Sequence, residues 1–294
     1  MAQKTLSLQL NPKEVEVLKK VLLNEGWFED VVVNEYVNLR MKNKRGSVCT
    51  LYTSMKVVFQ GNEDFSNIVS QVKQEEISDI DLKPRLGVDE VGKGDYFGPL
   101  VVVSCFVNED FIDKYNGLGI GDSKKFSDSK IRIMYDTLKS YKYYYTSIIY
   151  PRRYNSLYAE LKNVAILLAK EHSRVIEMGL EDLKKKDIVC ERVVIDQFSS
   201  RKSRITDELG PLANEIEFVQ FHKGESDMAV ACASILARGI FLEEMDKMKD
   251  EYYFDFPKGA SNVIAPAKEF VKRYGVEELE KVAKISFKTT KSVI

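Results

Sequence analysis

The chain has 294 residues, 44% of them hydrophobic and 30% charged, which is enough apolar material for a packed core and enough length for one large domain or two ordinary ones. The 44 basic and 45 acidic residues nearly cancel, so overall charge does not point to a nucleic-acid partner, and any basic surface must be local. No run approaches the ~20 apolar residues of a membrane span, and four scattered cysteines without a C-x-x-C pair argue against a zinc site or a disulfide framework.

The first legible element begins at Asn11-Pro12-Lys13-Glu14, an N-cap with Pro at the first helical position and Glu at the third. Val15, Leu18, Val21 and Leu22 follow at helical spacing, and Gly26 stops the helix. Strands are expected at Val31–Met41, Ser47–Tyr52 and Lys56–Gln60, then a helix from Asp64 to Lys73. The acidic, Pro-terminated segment from Gln74 to Pro84 is the best linker. It divides an α+β unit over residues 1–75 from a second domain over 85–294, with the linker proper at 76–84. Beyond it, strands are expected at Leu86–Asp89, Leu100–Val107, Tyr143–Ile149 and Arg192–Ile195. Helices are expected at Tyr154–Gly179, Ser226–Lys249 and Pro266–Tyr274, giving a mixed α/β domain.

Three segments carry chemistry. In Gly87-Val88-Asp89-Glu90-Val91-Gly92-Lys93-Gly94, an apolar strand delivers adjacent carboxylates to a glycine-rich turn. Neighbours in a regular strand point to opposite faces, so Asp89 and Glu90 share a site only where the strand ends or bends. In Val193-Val194-Ile195-Asp196-Gln197, a carboxylate stands where a strand ends, the place where sites collect in open α/β sheets. In Lys223-Gly224-Glu225-Ser226-Asp227, acidic residues open an Ala-rich apolar helix. The helix dipole favours them there in any case, so either could be a cap or could complete a carboxylate cluster.

In this order and at these separations, the segments resemble the type 2 ribonucleases H, and most of all ribonuclease HIII. Gly121-Asp122-Ser123-Lys124-Lys125, Tyr154-Asn155 with Asn163, the run from Ala229 to Arg238, and Phe256-Pro257-Lys258-Gly259-Ala260-Ser261 agree with that family. Tyr52 to Gly61 resembles the end of its extra N-terminal domain. The resemblance implies a ribonuclease-H-like mixed sheet flanked by helices, preceded by a small TATA-binding-protein-like α+β domain. It implies hydrolysis of the RNA strand of RNA/DNA hybrids with two Mg²⁺ or Mn²⁺ ions, leaving 5′-phosphate and 3′-hydroxyl ends.

Asp89, Glu90, Asp196 and Glu225 are the implied catalytic metal ligands, with Asp227 as the alternative to Glu225. Gly92, Lys93 and Gly94 would meet RNA 2′-hydroxyls, and Lys124 and Lys125 the phosphates. The local basic run Arg40, Lys42, Lys44 and Arg45, with Lys56, would grip the duplex. Val88 stands where ribonuclease HIII commonly has Ser, and Gly-Lys-Gly is a basic turn. Both lean toward ribonuclease HII, which also cuts at single ribonucleotides embedded in DNA. The stretch Lys284-Ile285-Ser286-Phe287 lacks the His usual before Phe. His172 and His222 call for no catalytic role. Met1 to Thr5 do not open a signal peptide, so a cytoplasmic enzyme is expected, acting as a monomer.

Overall fold

The computed structural model describes the chain except for residues 1–3, 11, 33, 79–81, 197–202 and 222–225. The chain divides into two compact units, Met1–Asp81 and Leu82–Ile294.

The first unit is a five-stranded antiparallel sheet in the order β1-β5-β4-β3-β2, formed by β1 (Lys4–Gln9), β2 (Phe28–Glu29), β3 (Val37–Lys42), β4 (Val48–Tyr52) and β5 (Lys56–Gly61). Helices α1 (Pro12–Asn24) and α2 (Ser66–Ser78) supply Leu18, Val21, Leu22, Ile68 and Val72 to a core shared with Met41, Cys49, Leu51, Val57 and Phe59 of the strands. Side chains alternate along a strand, so Arg40, Lys42 and Lys56 fall on the opposite, open face.

Three expectations change here. The strand proposed over Val31–Met41 is interrupted, because Asn34 accepts the backbone N–H of Tyr36 and of Val37 and makes a turn before β3. Strand β1, which sequence reading passed over, pairs along its whole length with β5. Helix α2 continues to Ser78, well into the segment read as a linker. The Asn11 cap lies outside the described residues.

The second unit holds a mixed sheet in the order β10-β9-β6-β7-β8, with β6 (Arg85–Val91), β7 (Leu100–Val107), β8 (Tyr144–Ile149), β9 (Arg192–Asp196) and β10 (Glu217–Phe221). The β6–β9 and β9–β10 pairs are parallel, whereas β6–β7 and β7–β8 are antiparallel. Its helices are α3 (Glu109–Tyr115), α4 (Asp128–Leu138), α5 (Pro151–Leu161), α6 (Val164–Lys185), the short α7 (Ser203–Thr206), α8 (Met228–Tyr252), α9 (Ile264–Tyr274) and α10 (Val276–Val282). The single helix expected over Tyr154–Gly179 is two. Lys162 turns left-handed at φ 50°, and Asn163 then caps α6 by accepting the N–H of Ala165.

One face of this sheet packs on α6, where Leu86, Val88, Leu100, Val102, Val193 and Ile195 meet Leu168, Val175, Ile176 and Leu180. The other face packs on α8, buried without a break from Ala229 to Ala237 and so apolar on every side, as a central helix should be. The approach is very close at Gly87, where a Cβ would lie 2.1 Å from the Ala229 carbonyl carbon and 2.2 Å from the Val230 nitrogen. The start of α8 is pinned by Asp227, whose Oδ1 accepts the N–H of Ala229 while its Oδ2 receives Arg85 Nε at 2.7 Å. Arg85 is only 1% exposed. Among the described residues no helix is long and apolar enough to cross a membrane.

Two stability effects follow. Gly87→Ala should cost about 3 kcal/mol in urea denaturation, the upper end of overpacking costs, because the added methyl meets helix backbone. Gly117→Ala, which meets nothing within 4 Å, should stay within about 0.5 kcal/mol. Asp227→Ala removes a cap and the carboxylate facing a buried guanidinium, and should cost about 3–5 kcal/mol by the same measurement.

Candidate active site

The parallel register of β6 and β9 ends at Val88 opposite Ile195, so Asp89 and Asp196 are the next residues on each strand. Both follow residues that face α6, which directs them to the α8 side. They line a single open cavity of about 650 Å³ at the carboxyl ends of the two strands. Beyond Val88, strand β6 keeps β7 as its partner as far as Val91 but has left β9 behind. This is how the adjacent carboxylates reach one place: Glu90 points to the α6 face, yet it borders the same cavity because no strand walls it off.

Both Glu90 oxygens are engaged. Lys93 Nζ donates to Oε1 at 2.9 Å, and His172 Nε2, from α6, lies 3.0 Å from Oε2. Burial would raise the Glu90 carboxyl, but the hydrogen bond and charge of His172, with Lys93 adding to them, outweigh it and hold the group below the usual carboxylate range. Asp89 Oδ1 accepts the N–H of Glu90 at 2.8 Å, fixing the first carboxylate against its own backbone.

The glycine turn that follows is built for close approach. Gly92 has φ 95°, and a Cβ there would lie 2.1 Å from the Pro99 carbonyl oxygen, so no other residue fits. Gly94 has nothing within 4 Å of a would-be Cβ, leaving its backbone open to a ligand. Behind the turn, Asp95 Oδ1 accepts Gly259 N–H at 2.6 Å, and Tyr96 donates its N–H to Gly259 O. The fully buried Lys284 donates to the carbonyls of Asp95 and Gly98, and burial pushes its ammonium down to about 7.

A second wall comes from the Gly121–Lys125 segment. Ser123 shares a hydrogen bond with Ser234 at 2.7 Å, and Arg238 donates to the carbonyls of Ser123 and Phe126 and to Asp128. Lys258 also pairs with Asp128, and Lys258 and then Arg238 hold that carboxyl below its ordinary value. Lys124 thus sits on a loop tied down by α8 and lines the cavity. Lys125 faces outward and pairs with Asp122 at 3.5 Å.

The structure therefore brings together Asp89, Glu90, Asp196, Gly92, Lys93, Gly94 and Lys124. His222, Lys223, Gly224 and Glu225 lie outside the described residues. Asp227 does not line the cavity, since its carboxylate is committed to the α8 cap and Arg85. In the first unit, Arg40 is paired with Asp30 at 3.2 Å and Arg45 with Glu63, whereas Lys42, Lys44 and Lys56 are exposed.

Sequence reading missed Ser234, Arg238, Asp128, Lys258 and His172 as site neighbours. The spacing of Ser234, Arg238 and Phe241 on one helical face was the available signal for α8. His172 reads as one more position of an apolar stripe, and only the fold sets it under Glu90.

The donor set consists of carboxylate oxygens, which suits hard divalent cations better than softer ones that favour thiolate or imidazole. Among the described residues, no three His, Cys, Asp or Glu side chains gather tightly enough to enclose an ion by themselves.

Comparison with known proteins points to one family. The ribonuclease HII family model matches residues 86–290. Ribonuclease HIII of Protochlamydia amoebophila is 34% identical over 97% of this chain and 95% of that relative. Ribonuclease HIII of Chlamydia pneumoniae is 36% identical over 82% of this chain and 83% of its own length. The crystal structure of Bst ribonuclease HIII in complex with Mn²⁺ covers 99% of this chain and 98% of its own, with a TM-score of 0.70 and 26% identity. The chain belongs to the type 2 ribonucleases H, on the ribonuclease HIII side of that family, and is a ribonuclease H hydrolase.

Proposed function

We propose that the chain hydrolyses the RNA strand of RNA/DNA hybrids, leaving 5′-phosphate and 3′-hydroxyl ends, with two Mg²⁺ or Mn²⁺ ions held by Asp89, Glu90, Asp196 and Glu225. The carrying observation is that Asp89 and Asp196 each follow the last paired residue of two neighbouring parallel strands and line one cavity. The Mn²⁺ complex of the Bst relative supports the choice of metal. Bound divalent ions activate water and neutralise charge on the phosphate and the departing oxygen.

The protein's own part is positioning. Asp89 and Asp196 present oxygen donors from rigid strand ends, and Glu90 presents its carboxylate from beside them. The open backbone at Gly94 is suited to reading a 2′-hydroxyl, the group that separates RNA from DNA. Lys93 and Lys124, both on the cavity, offer cations to the phosphates flanking the cut, and Lys125 reaches outward toward the same backbone.

Residues 1–75 act in this reading as a substrate-binding domain that meets the duplex with the open sheet face. Lys42 and Lys56 carry most of its charge, with Lys44 at the β3–β4 turn. Arg40 contributes less because Asp30 holds it. Such contacts with phosphates give affinity without sequence preference. The enzyme acts as a monomer in the cytoplasm.

End-labelled hybrid should be cut only with Mg²⁺ or Mn²⁺. Asp89→Asn and Asp196→Asn should each lower that rate by roughly a thousandfold or more, equivalent to about 4 kcal/mol of transition-state stabilisation. Full activity in either variant would refute the assignment. A DNA duplex with one ribonucleotide, cut at a comparable rate, would show ribonuclease-HII-like cleavage as a second activity.

Lys42→Ala and Lys56→Ala should weaken hybrid binding equally across sequences. Each should reduce the slope of log affinity against log salt by about 1. An unchanged slope would remove those lysines from the interface.

A further inference from the structure

His172 is the buried titratable group that the proposed chemistry leaves without a task. It lies on α6, is 0% exposed, and is surrounded by the apolar face that packs on β6 and β7. A polar ring in such a place costs stability unless it is hydrogen-bonded, and the partner here is a carboxylate at the active-site cavity. Nε2 stands 3.0 Å from Glu90 Oε2. The side chains of both residues are nearly withdrawn from solvent, at 1% and 9% exposed.

The two Glu90 oxygens have different surroundings. Oε2 faces the helix and meets His172. Oε1 faces Lys93, itself a cavity residue. A glutamate has three rotatable bonds, and on a strand that has lost one neighbour two contacts hold them: the half-exposed Lys93 at Oε1 and the buried His172 at Oε2. Asp89 is short and is tied to the adjacent backbone N–H, so it does not need such help.

We propose that His172 is a positioning residue for Glu90. By donating its Nε2 hydrogen to Oε2, it fixes the carboxylate so that Oε1 is the oxygen presented toward the cavity, where the proposed reading requires a metal ligand. The proposal rests on that reading of Glu90. Partners that orient metal-binding side chains typically contribute 10- to 100-fold to metal affinity when removed, and His172 would act on Glu90 in that way. An alternative task, filling space in the α6 core, needs only a ring of this size and no N–H donor.

The test is Mn²⁺ binding to the full-length protein by titration calorimetry, with no substrate present and with melting temperature recorded in chelator. His172→Phe keeps the ring and removes the donor, whereas His172→Gln keeps an N–H at nearly the same reach. His172→Leu replaces the Phe variant if that one does not fold. The Phe variant should bind Mn²⁺ about tenfold or more weakly, and the Gln variant should stay within about threefold of the parent. In a Glu90→Gln background, His172→Phe should cause no further loss, because the two residues act through one contact.

Parent-like Mn²⁺ affinity in a folded Phe or Leu variant would overturn the positioning role, as would additive losses in the double variant. If Asp89→Asn and Asp196→Asn leave Mn²⁺ binding unchanged as well, the metal-site reading falls and the proposal falls with it. Weakened binding in those two variants beside an unchanged His172→Phe would remove the proposal alone.

Discussion

The close approach of α8 to β6 at Gly87 sets the geometry of everything around it. With no side chain on that strand residue, helix backbone lies where a Cβ would be, and the central helix comes down almost onto the sheet. Ser234 and Arg238 then reach the Gly121–Lys125 segment and hold it at the cavity. A helix even a few ångströms higher would leave that loop untethered. The Asp227–Arg85 pair fixes the helix along its own axis, because the same carboxylate that caps the first turn also grips the strand below.

The electrostatics of the cavity reflect this frame. Carboxylates of like charge repel one another, and the fold spreads them over two faces of one strand and the end of the next. Cations are interleaved among them: Lys93 meets Glu90, while Lys258 and Arg238 both meet Asp128. The result is a bowl with acidic residues on the sheet side and basic residues on its rim, an arrangement suited to a polyanion approaching bound cations. Lys284, buried beneath the turn, ties the carbonyls of Asp95 and Gly98 to the C-terminal segment and keeps the turn from relaxing.

Much of this was legible in the sequence, for local reasons. An apolar run ending in a carboxylate marks a strand end, and an Ala-rich run behind an acidic residue marks a buried helix, so β6, β9 and α8 were found. The break between α5 and α6 was not, because apolar periodicity continues across Lys162 and Asn163 and only the backbone turn interrupts it. Strand β1 was missed because four polar residues, Lys4, Thr5, Ser7 and Gln9, around two Leu carry little signal until β5 pairs with them. Asp227 stood in the sequence as the alternative to Glu225. Its tie to Arg85 is a contact across the fold that no local pattern encodes. The same holds for His172, whose neighbours in sequence speak only of a core.

The tie between Arg85 and Asp227 joins residues 142 positions apart, and this separation has a consequence for how the molecule comes into being. At ~5–20 residues per second, a ribosome that has released β6 needs on the order of ten seconds to deliver α8. During that interval β6 and β7 can pair as a hairpin, and α6 can cover one side of it. The side bearing Gly87 and Cys105 must wait, an apolar surface without its lid and open to unwanted association. The helix that ends this exposure also carries the residues that secure the Lys124 loop. The nascent chain thus cannot secure the Lys124 loop at the cavity until that apolar surface has been sealed.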